Sequence, residues 1–257
     1  MNINSLFRKR IGISENEEIT FEKLAYILVK TSQTIPFENL VVIDNREIEI
    51  SNEYLVNKVL VNNEGGLCYE INPLLYLFLR ENGFHVNLLS GNVYDKENEQ
   101  FQPIGDTHVT ILLSHQNKSY IIDSGFGGNL PLKPVPLSGE TVKSMNGEFK
   151  IKGLDRQAGR YLFEMKIKDK YTDWKVGYAF NVDTPIESMD ELNKIKDIIF
   201  EHEQSPFNKH PLVSYFTERG RTVLTNTYFR SWENGVMKNE EIDDERFAKL
   251  VCRIFRI

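Results

Sequence analysis

The spacing of apolar residues changes near residue 84, and this change restricts the folds that the chain can adopt. Before that point apolar side chains recur every three or four residues, as on the buried face of a helix. Afterwards they alternate with polar residues or form short runs rich in β-branched side chains. A helical spacing returns beyond residue 185. We therefore predict an α+β fold divided into residues 1–83, 84–184 and 185–257, with the first part helical and the second β-rich.

The individual elements follow from capping residues and from residues that interrupt helices and strands. Predicted helices cover residues 4–10, a segment capped by Thr20, and residues 51–60, 69–80, 183–203 and 243–255. Predicted strands cover residues 86–94, 108–114, 119–123, 149–152, 161–167, 174–180, 212–217 and 222–232, and the polar stretch 95–106 is predicted to be a loop. We interpret Cys252, within the last helix, as a packing residue.

Composition narrows the possible functions of the chain. Its 257 residues carry a net charge of −6 without a clustered basic surface, which argues against nonspecific binding to nucleic acid. No apolar run approaches the roughly 18 residues of a membrane span, and the N-terminus lacks a basic region followed by an apolar stretch. We therefore expect a cytosolic protein that does not bind a membrane. Two cysteines are too few for a disulfide framework or a cysteine-rich zinc site, and we expect no metal.

One of the two cysteines lies where a turn gives way to a helix. Gly65 and Gly66 allow a tight turn just before Cys68, and the apolar residues that follow have a helical period. The free N–H groups and the positive dipole at a helix N-terminus favour a thiolate, which is the nucleophilic form of cysteine. A cysteine before a buried helix can also be a small core residue, so the catalytic interpretation requires partners elsewhere in the chain.

A cysteine nucleophile needs a base, which is usually a histidine oriented by a carboxylate or an amide. His108 begins a predicted strand beside a polar loop, and Asp123 ends the next strand. If the hairpin is centred near residue 116, paired residue numbers sum to about 231, and His108 lies opposite Asp123. The alternative is a surface His–Asp pair at the end of a strand. We interpret the other histidines as solvated or structural: His85, His115, His202 and His210.

Four ordered segments resemble the arylamine N-acetyltransferases. They are Ile-Pro-Phe-Glu-Asn-Leu at residues 35–40, Gly-Gly-Leu-Cys-Tyr-Glu-Ile-Asn at 65–72, Thr-His at 107–108 and Ile-Asp-Ser-Gly-Phe-Gly at 122–127. A weaker match is Ser-Pro-Phe at residues 205–207, so the resemblance spans the whole chain. It implies a helical bundle, a β-barrel-like middle and an α/β lid, with Cys68, His108 and Asp123 in a papain-like arrangement.

The resemblance also implies acetyl transfer by a ping-pong mechanism. Cys68 would take the acetyl group from acetyl-CoA, and an arylamine, a hydrazine or an N-hydroxyarylamine would then accept it. His108 would move protons while Asp123 fixes its tautomer. The resemblance places Gly105, Gly127 and Gly128 near CoA, and Phe37 and Phe126 are candidate walls of the acceptor site.

The residue before the two glycines departs from the family pattern. Family members usually carry an arginine there, whereas this chain has Glu64. If Glu38 lies close to it, as family packing suggests, two like charges meet and the turn that presents Cys68 loosens. We expect this to lower activity or alter the choice of acceptor.

Two other functions remain open from the sequence. The same three residues serve thiol hydrolases and transglutaminase-like enzymes, so the fold could carry a different reaction. A weakly active or inactive protein that binds acyl-CoA or an aromatic ligand is the second possibility, suggested by Glu64.

Overall fold

The helices lie at the two ends of the chain, as the hydrophobic periods predict. A computed structural model describes residues 2–255. Its α-helices are α1 (Ile3–Ile11), α2 (Leu24–Thr34), α3 (Leu40–Ile43), α4 (Asn52–Leu55), α5 (Cys68–Glu81), α6 (Met189–Glu201) and α7 (Asp244–Phe255). Single 3-10 turns cover Phe21–Lys23, Gly127–Asn129 and Pro206–Asn208, and the π-helical turn Val56–Val61 continues α4.

The strands occupy the middle of the chain and most of its C-terminal part. They are β1 (Phe37–Glu38), β2 (His85–Asp95), β3 (Gln100–Phe101), β4 (His108–His115), β5 (Lys118–Ile122), β6 (Val135–Pro136), β7 (Val142–Ser144), β8 (Gly147–Asp155), β9 (Arg160–Ile167), β10 (Lys175–Ile186), β11 (Leu212–Thr217), β12 (Gly220–Thr225), β13 (Tyr228–Glu233) and β14 (Val236–Glu241).

Two antiparallel sheets organise these strands. The larger has the order β6-β5-β4-β2-β10-β9-β8-β7, with β3 paired to β2, and β6 approaches β8 so that the sheet nearly closes. The smaller has the order β1-β11-β12-β13-β14 and thus takes its first strand from the N-terminal part of the chain. The predicted α+β class with a barrel-like sheet is confirmed. The division at residues 83 and 184 stays a prediction; β10 spans residue 184, and β1 of the first part pairs with β11 of the third.

Strand β4 separates two hydrophobic cores because successive side chains of a strand point to opposite faces. Val109, Ile111 and Leu113 pack with the helices, in a core that includes Phe78 of α5. Leu112 faces the other way, into the barrel core. His108 shares the alternation of Leu112, which directs it toward the barrel side at the start of the strand.

The register of the β4–β5 hairpin differs from the prediction by two residues. Ile111 pairs with Ile122, so paired numbers sum to 233, and the turn has positive φ at both Gln116 and Asn117, as in a type I′ turn. A shift of one residue would have reversed the faces, whereas a shift of two preserves them. His108 and Asp123 therefore stay on the same face, although they are not directly opposite.

Other boundaries differ where turn residues were misread. Residues 183–186 continue β10, and α6 begins after Ser188, whose hydroxyl accepts a hydrogen bond from Glu191 N. The predicted strand 222–232 is two strands, β12 and β13, because a turn intervenes at residues 226–227. Thr20 precedes a 3-10 turn and makes no side-chain cap. Within residues 2–255, no helix combines the length and apolar character needed to cross a membrane.

Candidate active site

The turn before Cys68 is held by main-chain contacts with residues 36–38. Gly66 N donates to Pro36 O at 3.1 Å, and Glu38 N donates to Gly66 O at 3.0 Å. A Cβ atom on Gly65 would lie 2.1 Å from Pro36 O, so this approach requires glycine. Cys68 is the first residue of α5, as predicted, and its side chain is only 5% exposed. The thiol donates to Thr107 O at 3.6 Å.

The three predicted catalytic side chains come together in the structure. His108 Nε2 lies 2.8 Å from Asp123 Oδ2, and both residues are buried. The Cys68 side chain also acts on the imidazole and favours its protonated form. Burial opposes protonation of His108, but the charge of Asp123 and the hydrogen bonds to Asp123 and Cys68 raise its pKa from 6.5 to about 10.

Asp123 is the centre of a hydrogen-bond network that the sequence did not reveal in full. Its Oδ1 accepts from Asn72 Nδ2 at 3.0 Å and from Gly125 N at 2.8 Å, while Oδ2 also accepts from the Tyr178 hydroxyl at 3.0 Å. With His108, the carboxylate has four donors. Such a set holds it in one orientation and satisfies its charge in a buried place.

Asn72 and Gly125 tie α5 to the segment that carries Asp123. The Asn72 side chain donates to Val109 O at 2.7 Å and accepts from Ser124 N at 2.9 Å. A Cβ atom on Gly125 would lie 2.7 Å from Cys68 Cα and 2.8 Å from Asn72 Nδ2. Only glycine therefore lets this turn approach the nucleophile so closely.

The residues predicted to bind substrates fall into two groups. Phe126 packs beside His108, with ring centroids 4.9 Å apart, and Phe37 lies against Gly127, where a Cβ atom would be 3.3 Å from its ring. Both phenylalanines thus border the turn that follows Asp123. Gly128 faces away, toward Arg221 and Ser214, and Gly105 has φ +76° in the loop before Thr107 with open space on its Cβ side.

A second buried polar cluster lies behind the start of α5. Lys58 Nζ donates to Glu38 Oε1 and to Glu70 Oε1, each at 2.9 Å, and all three side chains are at most 4% exposed. The Tyr54 hydroxyl also donates to Glu70 Oε1, at 2.8 Å. Burial lowers the pKa of Lys58, but the charges of Glu70 and Glu38 and their hydrogen bonds raise it more, to above 10.5.

The expected clash between Glu38 and Glu64 is offset by two cations. Both carboxylates line the same cavity as Arg46, so their predicted proximity is present. Arg46 Nη2 pairs with Glu64 Oε2 at 2.9 Å, while Lys58 pairs with Glu38. Each carboxylate therefore has a cation of its own, and the effect of Glu64 on the turn and on activity stays a prediction.

Of the residues that the sequence reasoning missed, only one had a local signal. Asn72 follows Cys68 by four residues and so lies on the same face of α5. Tyr178 lies in β10, which pairs with β2. It is far from His108 in the sequence, so no local pattern relates the two residues. Of the other histidines, His115 stacks on Phe21 at 4.3 Å. Among residues 2–255, no group of three or more His, Cys, Asp or Glu side chains could hold a metal ion.

A buried cysteine at a helix N-terminus, near a histidine that a carboxylate orients, is an arrangement typical of thiol-dependent acyl-transfer proteins. A family model described as N-acetyltransferase matches residues 20–257. The chain belongs to the arylamine N-acetyltransferase family of transferases.

Relatives and solved structures agree with this assignment. An uncharacterized acetyltransferase, YvcN, from Bacillus subtilis is 42% identical over 221 residues, which are 86% of this chain and 85% of the relative. The structure of arylamine N-acetyltransferase C from Bacillus anthracis superposes with a TM-score of 0.92 at 39% identity, covering 100% of this chain and 99% of that one.

A second solved structure is equally similar overall but is described with a different acid. The NAT3 arylamine N-acetyltransferase from Bacillus cereus has a TM-score of 0.91 at 39% identity, covering 98% of this chain and 97% of that one. Its name describes a unique Cys-His-Glu catalytic triad. In the present chain the carboxylate on His108 belongs to an aspartate, Asp123.

Proposed function

We propose that this protein transfers the acetyl group of acetyl-CoA to an arylamine, a hydrazine or an N-hydroxyarylamine through an acetyl-cysteine at Cys68. The observation that carries the proposal is the buried contact of 2.8 Å between His108 and Asp123, beside a buried Cys68 at the start of α5 that favours the protonated imidazole. This arrangement supplies a nucleophile, a proton carrier and the group that orients the proton carrier. Membership of the family supplies the reaction class.

In the first half-reaction, the Cys68 thiolate attacks the carbonyl carbon of the thioester. A new carbon–sulfur bond forms to Cys68, the bond to the CoA sulfur breaks, and His108 gives its proton to the leaving thiolate. The raised pKa of His108 keeps the imidazole protonated at neutral pH, so the proton is present when the leaving group needs it. Asp123 stabilises that imidazolium.

In the second half-reaction, the acceptor amine attacks the acetyl-cysteine. His108, which is now neutral, takes the proton from the amine nitrogen, and the bond between the acetyl carbon and Cys68 sulfur breaks. Glu70 N and Ile71 N donate to Leu67 O, which leaves the main-chain N–H groups of Cys68 and Tyr69 to stabilise each oxyanion. Phe126, beside the imidazole, gives an aromatic acceptor a surface on which to pack.

The surroundings of Gly128 are suited to the phosphates of CoA. A Cβ atom on Gly128 would lie 3.8 Å from Arg221 Cδ and 3.9 Å from Ser214 Oγ. Ser214 Oγ is buried and, within the described residues, has no hydrogen-bond partner. Phosphate oxygens accept hydrogen bonds from hydroxyl and guanidinium groups, and the Arg221 guanidinium, which donates to Asn146 Oδ1 at 3.2 Å and to Lys168 O at 3.3 Å, has further N–H groups. We propose a cytosolic setting for this chemistry, where a reducing environment keeps Cys68 as a thiol.

Intact-mass measurement tests the proposal directly. After incubation with acetyl-CoA alone, the protein gains one acetyl group, and a later addition of an arylamine removes it and yields the acetylated amine. Cys68→Ala gains no acetyl group. Rapid release of acetate without acceptor would instead indicate a thiol hydrolase. Thermal stabilisation by CoA without any acetylation would indicate a binding protein, and either result would contradict the proposal.

A further inference from the structure

Two carboxylates and one ammonium group form a buried cluster beside the turn that leads to Cys68. The three side chains belong to separate segments: Glu38 to β1, Lys58 to the π-helical turn and Glu70 to the first turn of α5. None belongs to the hydrogen-bond network of Asp123. The acetyl-transfer chemistry does not use their charges directly.

Each member of the cluster holds one part of the turn that leads to Cys68. Glu70 Oε2 accepts from Leu67 N at 2.8 Å, which caps the start of α5 one residue before the nucleophile. Glu38 N donates to Gly66 O at 3.0 Å, and Glu38 Oε2 accepts from Leu40 N at 2.6 Å. Lys58 O accepts from Glu64 N at 3.0 Å. Lys58 therefore contacts the Glu64 end of residues 64–67 directly, and through its ion pairs it joins the two carboxylates whose residues hold Gly66 and Leu67.

We propose that Lys58 is a positioning residue for the nucleophile. By binding Glu38 and Glu70 at the same time, it fixes residues 64–67 against α5 and sets the direction in which Cys68 sulfur faces His108. A buried ion pair is strongly disturbed when one partner is removed, because the remaining charge has no compensation. Here the loss of Lys58 leaves two carboxylates without their shared cation, and the turn must move to hydrate or separate them.

The neighbouring pair of Arg46 and Glu64 provides a matched comparison. Arg46 Nη2 lies 2.9 Å from Glu64 Oε2, the same distance as Lys58 Nζ from its two partners. The Arg46 and Glu64 side chains are, however, 45% and 29% exposed. Water screens such a pair, and exposed pairs contribute little to stability. If burial gives Lys58 its role, Arg46→Met leaves the reactivity of Cys68 within about twofold of wild type.

Two experiments test the proposal. The first, a kinetic experiment, rests on the proposed acetyl transfer, whereas the second, a chemical experiment, does not. The kinetic experiment measures single-turnover acetylation of Cys68, normalised to the fraction of sites that react. Lys58→Met should slow it by about 100-fold, with the KM for acetyl-CoA almost unchanged, since a small misplacement of a reacting group costs that much in rate. The chemical experiment measures alkylation of Cys68 by iodoacetamide in a Cys252→Ser background, because Cys252 is exposed and would also react.

Glu70→Gln separates positioning from a through-space effect of charge. Loss of a cation near Cys68 disfavours the thiolate, whereas loss of an anion favours it. Electrostatics alone therefore predicts opposite changes in the alkylation rate of Lys58→Met and Glu70→Gln. Positioning predicts that both variants react more slowly, and that the double variant is less impaired than the product of the two single effects.

The two experiments also keep the outcomes distinct. Wild-type rates of acetylation and alkylation in Lys58→Met would overturn the proposal while leaving acetyl transfer intact. If Lys58→Met does not fold, Glu70→Gln decides: Lys58 keeps Glu38 as its partner there, and unchanged or faster alkylation would overturn the proposal. If wild-type protein accepts no acetyl group, the proposed function fails, and the alkylation rates still test the position of Cys68.

Discussion

Two buried polar networks meet at Cys68, and they differ in the kind of group that each contains. The network of Asp123 has one carboxylate with four donors, three of which are neutral: Asn72, Gly125 N and Tyr178. The cluster of Lys58 has two carboxylates that share one ammonium. The first contains a histidine that gains and loses a proton in the proposed reaction, whereas the second contains an ammonium group held between two carboxylates.

The two networks therefore have different roles: the Asp123 network takes part in proton transfer, and the Lys58 cluster fixes the turn before α5. Neutral donors around Asp123 stabilise its negative charge without adding a competing cation, so the imidazolium of His108 keeps Asp123 as its ion-pair partner. The ion pairs of Lys58 with Glu38 and Glu70 fix the turn before Cys68 and take no part in proton transfer. Removing a group from the Asp123 network should therefore change the chemical step and its pH dependence. Removing a group from the Lys58 cluster should change the orientation of sulfur.

The largest effect is expected from Asp123→Asn. The amide keeps the size of the side chain but removes the charge that orients His108, so the wrong tautomer becomes favoured. We expect kcat/KM for acetyl transfer to fall by about 10³- to 10⁴-fold, as an Asp-to-Asn change does in serine-protease triads. The control is Asp44→Asn, at an exposed position. A loss smaller than about tenfold would contradict the role given to Asp123.

The stability of the protein should depend on pH through His108 before it depends on Lys58. The folded-state pKa of His108 is raised from 6.5 to about 10, so its contribution is fully present below pH 6.5 and is lost as pH rises through about 10. The pKa of Lys58 is raised from 10.5, so the contribution of Lys58 is still present throughout that range.

Chemical denaturation of the wild type and His108→Gln checks this order. The difference between their free energies of unfolding should shrink steadily from about pH 6.5 to about pH 10. Denaturation of Lys58→Met gives the comparison, because the contribution of Lys58 is present over the same interval and the difference from the wild type should stay nearly constant. A constant difference for His108→Gln would show that the imidazole is not stabilised as a cation in the folded protein.

Tyr178→Phe should have an intermediate effect, because it removes one of four donors and leaves the charges in place. A hydrogen bond to a charged group contributes about 1.5 to 3 kcal/mol, so we expect a loss of that size in the free energy of unfolding. A roughly tenfold fall in kcat/KM should accompany it if the orientation of Asp123 matters for catalysis. Tyr161→Phe, on the adjacent strand β9, is the control. An unchanged kcat/KM in Tyr178→Phe would limit the role of Tyr178 to stability.

The sequence predicted local features of the site more successfully than contacts between distant segments. The position of Cys68 followed from two glycines and a helical period, and the shared face of His108 and Asp123 survived an error of two residues in register because side chains alternate. Tyr178 and Lys58 could not be found in this way. Tyr178 lies in β10, which β2 and β4 separate from β5 in the sheet, and its contact with Asp123 has no local sequence signal. Lys58 is a charged residue in an apolar run, and its burial depends on carboxylates from two other segments.

The smallest effect is expected at Glu64, which belongs to the exposed ion pair with Arg46. Glu64→Gln breaks the pair with Arg46, which should cost at most about 1 kcal/mol of stability because both side chains are partly hydrated. Acetyl transfer should stay within about twofold of the wild type. Glu64→Arg, which restores the usual family residue, should bring no gain, since it would set a second guanidinium beside Arg46.

The double variant Arg46→Glu with Glu64→Arg is the matched control for Glu64→Arg, because it rebuilds the pair with its charges exchanged. If Glu64→Arg is impaired only by repulsion between two guanidinium groups, the double variant should recover the wild-type rate. A clear increase in acetyl transfer by Glu64→Arg alone would instead mean that Glu64 weakens the turn despite its partner. The exposed pair would then influence Cys68 as the buried cluster does, and burial would not be the property that separates them.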